Sequence, residues 1–386
     1  PWGIQTFEGT FNTGDINTTI AINAANTGIN WNFIGNPYPS AIDFDAFYTA
    51  NSSVVDGTAY FWSQATDHAE SNPGNQQSNF SKNDYATYTV GSGGAAGGSP
   101  VIPSQYIPSG QGFFIASLAP GGTATFTNAM RMADGTSNSQ FFRNSGSKKN
   151  SGNSKNRLWV NLTTENGVFS QILMAYVDGA TDGYDGLSYD APKIVSQDFP
   201  AILYSFMESD NNKYVIQGKS PNSINENELV SLGFSSNIDT STEYTLSIAQ
   251  LEGAFLSDNP TFVKDNFTNT LHNLSDSDYS FTSVAGEFNN RFEIVFNANA
   301  LSIDDISVAS ENLKIIELED DNVQFTTKNH PIETVKVFDL LGRELYNFKG
   351  NSNDETYKLS NLSSTVYIVK VELSNGIILT KKTLKK

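Results

Sequence analysis

The segment Asp178-Gly179-Ala180-Thr181-Asp182-Gly183-Tyr184-Asp185-Gly186 gathers carboxylates on glycine-rich turns, and Asp190 follows closely. Hard oxygen donors in that density suit calcium, which takes six to eight oxygen ligands. Asp178, Asp182, Asp185 and Asp190 are therefore the candidate metal ligands, although their spacing does not match an EF-hand loop. Asp and Gly also build turns with no metal at all. The only histidines are His68, His272 and His330. They are widely separated, and no G-x-S-x-G elbow accompanies them, so a nucleophile–base–acid triad is not expected. Paired carboxylates for glycoside hydrolysis would be found by chance among 41 acids, so their abundance carries no weight. No enzymatic activity is expected, and no cofactor beyond the candidate calcium.

Aromatic residues are the other chemistry-bearing type. Tyr60, Trp62 and Trp159 could stack on sugar rings, but at strand spacing such residues more often fill a core. Trp31 and Phe33 alternate along a strand and are expected to point inward. The run from Gly91 to Ser99 reads as a flexible loop. It does not match G-x-G-x-x-G and does not open a helix, so it is not a phosphate cradle.

These residues must be positioned by strands. Thirteen Pro and 30 Gly punctuate short apolar runs, which predicts an all-β protein. Helical periodicity is confined to one or two turns near 41–51. A first β module spans 1–143, centred on Trp31-Asn32-Phe33-Ile34-Gly35-Asn36-Pro37-Tyr38-Pro39-Ser40. The run 144–156 is rich in Ser, Gly, Asn and Lys and reads as a linker. A second module, 157–300, has strand-like runs spaced for a sandwich or jelly roll. A third, 301–386, is a small immunoglobulin-like sandwich, with Asn375-Gly376 between two β-rich runs as its hairpin signal. The run Glu317–Asp321 reads as an exposed strand end and turn.

The net charge is −18, which disfavours nucleic-acid partners. Residues 313–386 hold 11 Lys/Arg and 10 Asp/Glu, so nearly all the acidity lies upstream. There is no cysteine, which removes disulfides, thiolate metal sites and a Cys nucleophile. No apolar run approaches the ~20 residues of a membrane helix. The chain starts at Pro1 without an initiator Met, as a mature form or fragment would.

The order Val335-Lys336-Val337-Phe338-Asp339-Leu340-Leu341-Gly342-Arg343, then Tyr367-Ile368-Val369-Lys370-Val371, then Asn375-Gly376, then Lys381-Lys382 resembles the C-terminal sorting domain of type IX (Por) secretion substrates. A Pro-Asn-Pro opening is missing, so the likeness is to a variant class. The two upstream modules resemble β modules recurrent in surface proteins of the same bacteria. The resemblance implies export through the periplasm to the surface of a Gram-negative bacterium or to the medium. The outer-membrane translocon and a β-barrel shuttle protein would be the partners, and a surface polysaccharide is a further candidate ligand. The positions carrying it are Val335, Val337, Asp339, Gly342, Arg343, Tyr367, Lys370, Gly376, Lys381 and Lys382. The expected function is that of an adhesin-like surface protein. The alternative is the C-terminal part of a secreted polysaccharide-active enzyme or its binding accessory.

Overall fold

The computed structural model describes residues 8–26, 28–70, 78–138, 155–195, 199–207, 210, 212–297, 313–328, 330–339, 343–360, 362, 366–374 and 378–385. The fold is all-β, in two compact units, Pro1–Ala298 and Asn299–Lys386. No helix among the described residues is long and apolar enough to cross a membrane.

In the first unit, an antiparallel sheet runs in the order Trp31–Gly35, Gly112–Ser117, Val55–Trp62, Tyr85–Thr89, Gly93–Ala95. Its inner face carries Ile34, Phe61, Phe113 and Ile115. These pack on the helix Phe44–Asn51 through Phe44 and Phe47, and on the paired strands Ile16–Ile20 and Gly122–Phe126 through Ile20 and Phe126. The helix begins where the sequence allowed one, because the Asp43 carboxylate caps the amides of Asp45 and Ala46.

Among the described residues, the strands from Asn156 to Val295 form one hydrogen-bonded sheet of eleven strands. It curls so that Leu158, Leu162, Met174, Leu232, Phe234, Phe281 and Phe292 share a single core. Phe169–Tyr176 pairs in parallel with Tyr214–Lys219. Both are buried along nearly their whole length: Ile172 and Met174 belong to this core, while Leu173, Ala175, Val215 and Ile216 cluster with Trp159 and with Ala95 of the first sheet. Within Phe169–Tyr176, Ile172–Tyr176 is accordingly an unbroken apolar run, as strands covered on both faces are.

The contact between the two sheets overturns the flexible-loop expectation for Gly91–Ser99. Ser92 to Gly97 are buried, and Gly93–Ala95 is the sheet's last strand. The Trp159 indole donates to the Gly94 carbonyl at 2.7 Å, Gly91 N donates to Ser188 O at 2.8 Å, and Thr58 Oγ1 donates to Leu187 O. A methyl group at Gly91 would overlap the Tyr189 ring, and one at Gly57 would overlap Ser188. Glycine is there for close approach of backbone, not for mobility. Most of the expected linker, through residue 154, lies outside the described residues.

Among its described residues the second unit has seven antiparallel strands. Three are ordered Lys314–Glu317, Asn322–Thr326, Asp354–Lys358 and four Glu344–Lys349, Ile332–Phe338, Val366–Leu373, Ile378–Leu384. Val323, Phe325, Val335, Val337, Tyr367, Val369 and Val371 close its core. The expected turn at Glu317–Asp321 is present, with Asp320 and Asp321 both at positive φ, which Asp tolerates better than most residues.

Because the two sheets of the first unit share a buried face, residues 8–297 should unfold in one transition. Gly91→Ala should destabilise that transition by about 1–3 kcal/mol, the usual cost of overpacking, and leave the second unit unaffected. Calorimetry resolving separate transitions for the two sheets would contradict the shared face.

Candidate functional site

The outer face of the first sheet is where the structure departs furthest from expectation. Trp31 and Phe33 point outward, 41% and 67% exposed, while Ile34, next after Phe33, is the buried residue. Large rings stand on both faces of this sheet, so ring size alone could not assign the parity. Register puts Phe33 opposite Phe114, and Trp62 opposite Tyr85. From there a continuous path of rings crosses the sheet. Phe33 to Phe114 is 4.8 Å between centroids, Phe114 to Tyr85 5.7 Å, Tyr85 to Trp62 5.1 Å, and Trp62 to Phe80 5.6 Å. Phe80 is itself exposed and contacts the His68 ring. Trp31 covers Tyr60 edge-on at 4.7 Å. Burial pushes the Tyr60 hydroxyl well up, and the nearby Tyr184 and Asp56 push it the same way.

Of the three aromatics singled out for stacking, Trp159 and Tyr60 are buried and Trp62 is half-exposed. The indole N–H groups of Trp31 and Trp62 and the Tyr85 hydroxyl bond to no other described residue. The face thus offers rings with unused polar edges.

The acidic loop is organised differently from a cation cage. Asp185 accepts from Thr181 N and Oγ1, at 2.5 and 2.9 Å. Asp182 accepts from Ser223 Oγ at 2.6 Å and lies 3.8 Å from Lys219 Nζ. Asp190 is fully buried and accepts from the amides of Asp185 and Gly218, at 2.7 and 2.8 Å. Asp178 is exposed. Each of the three hydrogen-bonded carboxylates makes turns or pins strands, and among the described residues no group of three or more acids and histidines is placed to hold one ion. Tyr184, at the loop's tip, is half exposed and tilts against Tyr214 at 6.0 Å.

Nor are the histidines brought together. His68 Nδ1 lies 2.6 Å from Ser78 Oγ on the surface of the first sheet's loops. His272 Nε2 lies 2.9 Å from Ser277 O in the curled sheet. His330 is in the second unit, where its carbonyl accepts from Thr327 Oγ1.

Among the hollows of the first unit, two are lined by ionisable groups. A small, partly open hollow of about 30 Å³, room for one water, lies beside Lys193, whose Nζ donates to Gln171 O at 3.3 Å and is pulled down to about 7 by burial. An open cleft of about 590 Å³ lies between Thr66 and Pro200.

A family model described as "Domain of unknown function (DUF8693)" matches residues 3–296. The chain belongs to this family. A second model, "Domain of unknown function (DUF8694)", matches residues 301–385, and the break between the two matches falls at the boundary between the compact units. No curated protein matches the chain. Among solved structures it is similar to one described as "Crystal structure of tetra-tandem repeat in extending region of large adhesion protein". That match has 13% identity and a TM-score of 0.14, over 60% of this chain and 66% of the other. At that score the likeness carries no argument.

Within the DUF8694 segment, the positions expected to carry a sorting signal divide into two kinds. Val335, Val337 and Tyr367 are core residues. Asp339 accepts from Arg343 N at 2.9 Å and Arg343 Nε at 2.6 Å, which closes a turn. Lys370 is exposed, with Nζ 5.8 Å from the Phe338 ring centroid. Lys381 is exposed and donates to Leu313 O at 2.9 Å. Gly342 and Gly376 lie outside the described residues, as does the side chain of Lys382. Nothing in the sequence sets Lys385 apart from Lys381. Lys385 is instead 3% exposed and donates to Asp321 Oδ1 and Leu359 O, both at 2.7 Å.

Two measurements follow from the Asp178–Asp190 loop. Thermal midpoints in millimolar calcium and in EDTA should coincide, since the carboxylates do not converge. A calcium-dependent rise would show that they do in solution. Asp190 gives the second. Burial pushes its carboxyl up to about 7 despite the two amides that pull it down. The folded state therefore holds a proton more tightly than the unfolded chain does. That group's contribution is fully present below pH ~4 and is lost as pH rises towards 7. Asp190→Asn removes this term, so the urea-midpoint gap between wild type and variant should shrink between pH 4 and 7. A constant gap would refute the assignment.

Proposed function

We propose that the chain is a non-catalytic, exported surface protein. The Pro1–Ala298 unit binds, and the Asn299–Lys386 unit is the part recognised by a type IX outer-membrane translocon and its β-barrel shuttle. The observation that carries this reading is the self-contained build of the terminal unit. It has two sheets, its own core, and an end that tucks back through Lys385 onto Asp321 and Leu359. A module of that kind folds and is read independently of what precedes it. Its motif order resembles that of type IX sorting domains.

A partner reads the surface of such a module, not its core. Lys336 and Lys370 are directly opposed across the strands Ile332–Phe338 and Val366–Leu373. Like charges in register cost stability, and a cost kept in a small unit is expected where a partner of opposite charge relieves it.

Residues 299–386 behind a signal peptide and a fluorescent reporter should send the reporter out of a type IX-competent cell. Lys336→Gln with Lys370→Gln should reduce export while leaving the unfolding midpoint unchanged or higher. Lys385→Gln should act through folding instead, at a cost of about 1–3 kcal/mol for removing the buried ammonium's bonds to Asp321 and to the Leu359 carbonyl, which would keep only the Leu362 amide. Retention of the intact fusion in the periplasm, in cells exporting a known substrate, would overturn the sorting role.

A further inference from the structure

We infer that the outer face of the first sheet is a binding platform for a single chain of neutral polysaccharide. This rests on the reading of the first unit as a binding module and is independent of how the protein is exported. Three observations carry it.

The first is the ring path Phe33–Phe114–Tyr85–Trp62–Phe80, with Trp31 beside it. Its most exposed members are Phe33 at 67%, Phe80 at 46% and Trp31 at 41%. The path is aromatic throughout, whereas a protein-docking patch also draws on Met and Arg. A pyranose ring buries an apolar C–H face on such a surface and presents hydroxyls at its edge.

The second is the set of unused polar edges. The indole N–H groups of Trp31 and Trp62 and the Tyr85 hydroxyl have no partner among the described residues, and Tyr and Trp keep a polar handle for a ligand that is apolar on one side and wet on the other. A hydrocarbon surface would strand those donors, whereas sugar hydroxyls would pair with them.

The third is charge. Residues 1–138, which build this sheet, hold nine Asp/Glu and two Lys/Arg. A polyanionic glycan or an anionic membrane would be repelled. The rings are also inclined to one another, at 45° for Phe33 with Phe114, 85° for Phe114 with Tyr85 and 70° for Tyr85 with Trp62. A flat crystalline surface needs coplanar rings, whereas a twisted single chain accommodates inclined ones.

Native gels containing xyloglucan, mixed-linkage β-glucan, glucomannan or laminarin should test this on the full 386-residue chain, with alginate as the anionic control. At least one neutral polysaccharide should retard the protein, and alginate should not. Phe33→Ala should weaken that retardation about tenfold, the equivalent of ~1.4 kcal/mol, whereas Phe33→Tyr should behave as wild type. Phe33 is exposed, so both variants should keep the wild-type unfolding midpoint, and that midpoint is the control for folding. The proposal fails if no neutral polysaccharide retards the protein, if alginate alone does, or if Phe33→Ala binds as wild type does. A shift of Phe33→Ala from dimer to monomer in sedimentation, without any glycan retardation, would assign the face to a second copy of this chain instead.

Discussion

The backbone contact at Gly57, Gly91 and Gly94 is the constraint on which the rest of the first unit depends. Side chains at Gly57 or Gly91 would collide with Ser188 or Tyr189, and the Trp159 indole reaches the Gly94 carbonyl only because the strands lie close. The contact buries one side of Phe169–Tyr176 and Tyr214–Lys219 that would otherwise face water, and so permits residues such as Leu173, Val215 and Ile216 there. It also makes two sequence modules into one unit. Glycine for flexibility and glycine for close approach are written with the same letter. Only the partner strand, sixty or more residues away, tells them apart.

The same contact shapes the candidate binding face. The outer side of the first sheet is divided: Thr58 and Ala95 lie under the second sheet, while Trp31, Phe33 and Phe80 remain open to solvent. Those open rings are what a ligand could reach. Tyr184 stands at the junction and influences Tyr60 from across it, so the loop read first as a cation site contributes an aromatic residue instead.

Much of the fold was legible because most strands here obey one local rule. Tyr85–Thr89, Gly112–Ser117, Thr242–Glu252 and Val366–Leu373 alternate or carry β-branched and aromatic residues between turn signals. Ala201–Ser205 was missed because all five residues are buried and nothing alternates. The pair Phe262–Asp265 and Thr270–Asn273 was missed because its residues are mixed and short. Asp265 was invisible for another reason. It is fully buried, receives Arg291 at 3.0 Å and the Tyr279 hydroxyl at 3.0 Å, and Arg291 lies within 4.4 Å of the Phe281 ring centroid. An ion pair between residues 26 apart becomes apparent only once the strands are in register. The aromatic face was half legible: the right residue types were noticed, but strand parity was assigned from size. Ile34, Phe113 and Phe61 compete with Phe33, Phe114 and Trp62 for the core, and the helix Phe44–Asn51 decides which set wins.

The terminal unit shows why a sequence motif mixes two kinds of constraint. Val335, Val337 and Tyr367 recur in such a pattern because a sandwich of seven short strands has few places to bury apolar surface. No partner can touch them while the unit is folded. Lys385 belongs with them although it is charged, since its ammonium group satisfies the Leu359 carbonyl inside. Lys370 and Lys336 are of the other kind, set in register on the outside of the four-stranded sheet. Asp339 and Arg343 lie between the two, holding a turn through a pair in which the Arg343 side chain is 74% exposed. Recognition of this unit by any partner must act through the exposed residues, and folding must act through the buried ones. A truncation from Ile378 onward strips Val366–Leu373 of one of its two neighbours and removes Lys385 with it, so it disturbs both at once and cannot distinguish them. Substitutions at single exposed lysines can, because there the structure separates the charge a partner would read from the packing that holds the strand.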